Sequence, residues 1–118
     1  MDNKTMALVS YILTPIGWLI SFFSYKGQEK NSLVSYHLRQ SFGLFLTAVV
    51  WGIAEWIVLI VFGIISLRLA LAIGTILNLV SLVFFVLMII GIINASKGEE
   101  KPLPIIGKMF EGKFNFIP

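Results

Sequence analysis

LALAIGTILNLVSLVFFVLMIIGIINA, residues 69–95, holds no charged side chain anywhere along its length. A helix that crosses ~30 Å of hydrocarbon needs about 20 predominantly apolar residues. This stretch is longer than that, so it reads as a membrane-spanning helix with room to tilt. Upstream, residues 41–65 carry one charge, Glu55, and residues 5–25 carry only Lys4 and Lys26 at their borders. Three stretches of spanning length and character predict three spans: 5–25, 41–65 and 69–95. Between the last two, Ser66-Leu67-Arg68 leaves room only for a tight turn, which predicts an antiparallel hairpin.

Composition agrees with this reading. Of 118 residues, 58% are hydrophobic and only 13% charged, where soluble domains run nearer about a quarter charged. Mean hydropathy is +0.93. The length suits a single domain over residues 1–118. The expected fold class is therefore an all-α membrane protein of about three transmembrane helices, with an interfacial helix start before the second and an amphipathic C-terminal tail, 96–118. A four-span alternative would break the second segment near Glu55. With no cysteine, the chain offers no disulfide framework and no thiol nucleophile. Its net charge of +3 comes without a basic run interleaved with aromatics, so the expected partner is the bilayer with its anionic headgroups, and not nucleic acid. The first stretch reads as a retained anchor: Asp2 weakens any signal-type n-region, and no A-x-A cleavage site follows.

Charge placement predicts orientation. Lys26, Lys30, Arg39, Lys97, Lys101, Lys108 and Lys113 fall on one side of a three-span drawing, Lys4 and Arg68 on the other. By the rule that basic residues stay inside, the amino terminus is expected outside and the carboxyl terminus in the cytoplasm of an inner, plasma membrane.

The polar residues inside the apolar stretches are the candidate sites. In the first, Ala7, Ser10, Thr14, Gly17, Ser21 and Ser24 recur at spacings of three and four, which on one helix makes a stripe of small residues. Such a stripe suits close helix packing; a passage for substrate is the other reading. Pro15 beside it predicts a kink. Glu55 is a carboxylate amid apolar residues and is costly there unless it faces protein, is protonated or reaches an interface. It reads either as a proton or ion site, or as a hydrogen-bonding group for Asn78 or Ser81, or as a residue nearer the surface, where Trp51 and Trp56 would also sit. Asn78 is the expected interhelical glue of the third stretch. His37 shares a helical face with Glu55, but eighteen residues separate them by about 27 Å, too far for a dyad. No second metal ligand stands near His37 in sequence, and no hydrolase, phosphate-loop or dinucleotide motif is present. The expectation is no enzyme, no metal and no cofactor.

Tyr36-His37-Leu38-Arg39-Gln40-Ser41-Phe42, at the interfacial helix start, resembles bacterial small membrane proteins similar to the twenty-kilodalton Tic component of the chloroplast inner-envelope import translocon. Ala95-Ser96-Lys97-Gly98-Glu99-Glu100-Lys101-Pro102-Leu103 and Leu8-Val9-Ser10-Tyr11 with Pro15 and Gly17 resemble the same family. The resemblance makes His37, Arg39 and Gln40 an interfacial motif without catalytic duty. It implies a small accessory subunit of a larger membrane complex, linked to protein translocation. The other functional class is a homo-oligomeric transporter or channel with Glu55 in its pathway. Last, the tail is too apolar for water: Leu103, Ile105, Ile106, Met109, Phe110, Phe114, Phe116 and Ile117 must lie at the lipid interface, or dock around His37-Arg39-Gln40, or dock on a neighbouring subunit.

Overall fold

A computed structural model describes residues 2–13 and 15–117. Four α-helices follow in order: α1 (Asn3–Val9), α2 (Ile16–Lys26), α3 (Ser32–Ile65) and α4 (Leu67–Ser96); a short 3₁₀ turn, Gly107–Phe110, lies in the tail. No strand occurs among the described residues.

The two long helices start and stop where their caps dictate. Asn31 has extended backbone, and its side-chain oxygen accepts from the N–H groups of Leu33 and Val34 at 3.0 and 3.2 Å, which opens α3. Ser66 is at once the end of α3 and the cap of α4: its N–H donates to Phe62 O and its hydroxyl accepts from Leu69 N–H. The hairpin turn is thus a single residue. At 34 and 30 residues, α3 and α4 are about 51 and 45 Å long. Both are long and apolar enough to cross a bilayer, and their most apolar windows are 0% and 11% buried, so neither is the hidden core helix of a soluble domain. Trp51 Nε1 donates to Ser81 Oγ across the pair at 2.9 Å.

The expected first span, 5–25, is corrected. It is not one helix but two short ones. Pro15 removes an N–H and crowds the carbonyl four residues back, so helix cannot run through it. Leu13 takes a positive φ of 48° just before it, which turns the chain. Short-range bonds satisfy the broken backbone: Tyr11 and Ile12 N–H donate to Leu8 and Val9 O, Gly17 and Leu19 N–H to Leu13 and Pro15 O. Gly17 lets the arms close, because a Cβ there would overlap the carbonyl oxygens of Ile12 and Val9. Among the described residues two helices have spanning length, and the three-span count is not confirmed.

The reversal moves the amino terminus. The Lys4 side chain lies over Gly98, just past the end of α4, while the Tyr25 hydroxyl accepts from Asn31 N–H, just before α3. Both ends of the α1–α2 hairpin therefore sit at one end of the molecule, beside the tail. The same contacts put the amino terminus and the tail at one end of the molecule, which does not show the expected separation of the two across the membrane.

The molecule measures 55 × 23 × 23 Å. Its base is a knot in which α1, α2 and the tail pack around the start of α3 and the end of α4. Its upper part is α3 and α4 alone, with apolar side chains pointing outward: Trp56 is 71% and Ile64 82% exposed.

Candidate functional site in the knot at the base of the hairpin

His37 stands in the second turn of α3, fully buried. The Tyr11 hydroxyl lies 2.7 Å from its Nδ1, and the Glu99 carbonyl oxygen 2.7 Å from its Nε2. A carbonyl can only accept, so Nε2 carries a proton, and in the neutral ring Nδ1 accepts from the Tyr11 hydroxyl. Both ring nitrogens are occupied. Gly91 of α4 makes room for this arrangement, since a Cβ there would overlap the Tyr11 ring. Trp18 Nε1 of α2 donates to the Leu38 carbonyl at 2.9 Å, so this bond and that of Tyr11, just past α1, fasten the α1–α2 hairpin to one stretch of α3.

Gln40, one turn on and also fully buried, uses both ends of its amide. Its Nε2 donates to Gly107 O at 2.7 Å, and its Oε1 accepts from Leu103 N–H at 3.1 Å. Arg39 turns the other way and donates from Nη2 to Ile117 O at 3.3 Å. Each member of the sequence motif thus holds a different piece of the tail: His37 at residue 99, Gln40 at 103 and 107, Arg39 at 117. Pro102 and Pro104 keep this tail from helix, and its backbone groups, lacking helical partners, are met by α3 side chains. Apolar contact completes the clamp. Phe110 fills the space left by Gly43, and Phe114 and Phe116 stack edge-on against Phe42 at 4.8 and 5.3 Å. At the rim, Tyr36 donates to Glu111 at 3.0 Å and Ser32 to Glu100 at 3.1 Å.

The other sequence candidates are dispersed. Ser10, Gly17 and Ser21 are buried, but Ser10 caps the end of α1 while Gly17 and Ser21 lie on α2, so they make no single stripe; Thr14 lies outside the described residues. Glu55 is half-buried in the α3–α4 seam and accepts from Ser81 Oγ at 3.4 Å, the same hydroxyl that Trp51 meets. Asn78 does not reach Glu55; it stands exposed on the outer side of α4. The continuous stripe does not form, because α1 and α2 are separate helices. Tyr11 and Trp18 were missed as site residues, although an aromatic ring with a polar tip inside an apolar run needs a hydrogen-bond partner, and that was the available signal.

Beside the tip of the α1–α2 hairpin, Ile12, Leu13, Leu44, Phe45, Phe84 and Met88 line an apolar groove of about 710 Å³. Among the described residues, no three His, Asp or Glu side chains lie close enough to hold a metal ion. The arrangement is a fastening, with hydrogen bonds that close on the chain itself.

The chain is a small membrane protein, and comparison with known families assigns it. The model of the Magnetosome magnetite crystal formation protein family matches residues 2–110. No curated protein matches the chain, and no solved structure does. The family match overturns the resemblance to the chloroplast import component, which rested on short motifs; protein translocation loses its support with it. Its extent, all but the tip of the tail, takes in α1 to α4 and the Gln40 clamp alike, so this chain belongs to the magnetosome magnetite crystal formation protein family.

Proposed function

We propose that this chain is a non-enzymatic structural subunit of the membrane assembly in which magnetosome crystals form. One observation carries the structural half of the reading. The three side chains with the most chemistry, His37, Arg39 and Gln40, each hydrogen-bond the backbone of the protein's own tail, and the second nitrogen of His37 meets the Tyr11 hydroxyl. A binding or catalytic pocket instead turns a few polar groups toward open space. Family membership supplies the setting. Glu55 supports packing more than transport, since it is engaged with Ser81 inside one chain. The base faces the cytoplasm in this reading, with the basic residues of the loop and tail among anionic headgroups, and the membrane is the inner membrane or one derived from it.

Mild-detergent extraction from magnetosome-forming cells, followed by mass analysis, tests the proposal. Other membrane chains should co-purify at a fixed ratio, and deletion of the gene should alter crystal size or shape. A chain that purifies alone and carries protons or cations across vesicles, with the flux abolished by Glu55→Gln, would replace this reading with that of a homo-oligomeric channel.

A further inference from the structure

We propose that the outer side of α4 is a seam that pairs two copies of this chain around Asn78. The inference goes beyond the structural-subunit reading and does not depend on it; it needs only that the α3–α4 hairpin lies in lipid. Asn78 is four residues from residue 82, the middle of the charge-free run 69–95, which puts it within about 6 Å of mid-membrane. Its amide is exposed, and no hydrogen bond within the chain reaches it among the described residues. Water cannot supply the missing partner at that depth, and an unsatisfied amide in hydrocarbon is costly.

The surroundings of Asn78 are those of a helix-pairing seam. Leu71, Thr75, Asn78, Leu82, Phe85 and Ile89 repeat at alternating spacings of four and three, and all are exposed. On a helix they fall within about 40° of one line. This line is distinct from the side that meets α3, where Ala70 faces Gly63 and Ser81 bonds Trp51, about a quarter of a turn away. Pairing along it therefore leaves the intrachain hairpin untouched. A heptad seam with one buried amide is how paired helices set register and number. Beside Asn78, Gly74 and Leu59 bound a notch of about 360 Å³ that admits a neighbour's side chain.

The occupant follows from hydrogen-bond complementarity. A side-chain amide carries a donor and an acceptor, so it is its own best partner across a twofold axis. Two copies related by an axis along the membrane normal run their α4 helices parallel and bring Asn78 to Asn78 at the same depth. A foreign helix would have to supply its own polar group there; a second copy does so automatically.

The chain has no cysteine, so single cysteines report without background. The full chain is reconstituted in phosphatidylcholine–phosphatidylglycerol vesicles at high lipid excess and oxidised mildly. Leu82→Cys should form a disulfide-linked dimer and Val83→Cys should not, although the two residues are 58% and 41% exposed in the single chain. On the Leu82→Cys background, Asn78→Ala should weaken dimerisation about three- to twenty-fold, the worth of one interhelical polar contact in a bilayer. Asn78→Gln should recover most of it. Equal cross-linking at 82 and 83, or no loss with Ala, overturns the proposal. So does capture of an unrelated chain in place of a second copy when Leu82→Cys is oxidised in cell membranes. Should the Ala variant fail to insert, the comparison of 82 with 83, made with Asn78 in place, still decides. Failure of the subunit reading shows separately, as absence of co-purifying chains, and leaves this dimer standing.

Discussion

Gln40 shows how much one side chain holds. Replacing it by Leu leaves the Leu103 N–H and the Gly107 carbonyl without partners in a buried place, at about 1–3 kcal/mol for each group. Gln40→Leu should therefore lower the melting temperature in mild detergent and speed tryptic cleavage after Lys108 and Lys113. Gln40→Glu should do no better, because it keeps the acceptor for Leu103 but turns a carboxylate oxygen toward the Gly107 carbonyl. Equal cleavage rates in wild type and both variants would show that the tail is held by its aromatic rings alone. Glu55 behaves differently. Ser81 needs only an acceptor from it, which Gln supplies, so Glu55→Gln should leave the unfolding midpoint nearly unchanged, while Glu55→Leu should lose roughly 0.6–2 kcal/mol. Loss of folding with Gln would mean that the negative charge itself is needed. Much at this scale was legible in advance. His37, Arg39, Gln40 and Glu55 stood out as polar residues that an apolar chain must satisfy. Ser81 was one of two partners expected for Glu55, and docking of the tail was one reading for the other three; the atoms met there were hidden, because Leu103, Gly107, Glu99 and Ile117 contribute backbone groups, which every residue has and no side-chain pattern marks.

Among the elements, α3 and α4 were readable because hydropathy, the Asn31 cap and the Ser66 turn all point to the same result. The α1–α2 hairpin was not. Residues 5–25 are apolar enough to span, and only the local chemistry of Leu13, Pro15 and Gly17 makes them turn back. Pro15 inside a helix more often kinks than breaks it, so reversal required a second cause. That cause is tertiary: Tyr11 and Trp18 find acceptors on α3 only if the two arms come back along it. The element therefore depends on Gly17. Gly17→Ala places a methyl group on the carbonyls of Ile12 and Val9 and should cost about 1–3 kcal/mol, whereas Gly27→Ala meets nothing within 4 Å and should be nearly silent. Thermal unfolding in detergent separates the two; equal effects would mean that the arms do not pack this closely. Deleting residues 103–118 tests the tail in the same way. It leaves Glu99 on His37 but uncovers Phe42 and Trp18, which sit under Phe114 and Phe116. With Trp51 and Trp56 changed to Phe, the emission of Trp18 should shift to the red on truncation while membrane insertion persists.

The whole molecule has a polar end and an apolar end, and this asymmetry decides how it sits in a bilayer. Its 55 Å length exceeds the ~30 Å of hydrocarbon, so part of it must stand outside. The hairpin end cannot be that part, because Ile64, Ile65 and Leu67 are at least 70% exposed there and would face water. The knot is therefore expected at the interface, where the exposed Ile16, Ile20 and Phe23 of α2 would dip into lipid as the apolar face of an interfacial hairpin does. Reversal of the α1–α2 hairpin then changes the charge count. Lys4 joins Lys26, Lys30, Arg39, Lys97, Lys101, Lys108 and Lys113 at the base, which leaves Arg68 as the one basic residue at the tip, eight against one of the nine in the chain. The bias is stronger than in a three-span arrangement, and the inside rule then predicts the amino-terminal helix and the tail both on the cytoplasmic side. Single cysteines in the cysteine-free chain measure this directly. In intact cells, Arg68→Cys should react with an impermeant thiol reagent, while Asn3→Cys and Lys108→Cys should react only after the membrane is opened. Labelling of Asn3→Cys from outside, with Lys108→Cys still protected, would mean that residues 5–25 cross the membrane after all, and that the contacts of Lys4 with Gly98 and of Tyr25 with Asn31 do not both persist in lipid.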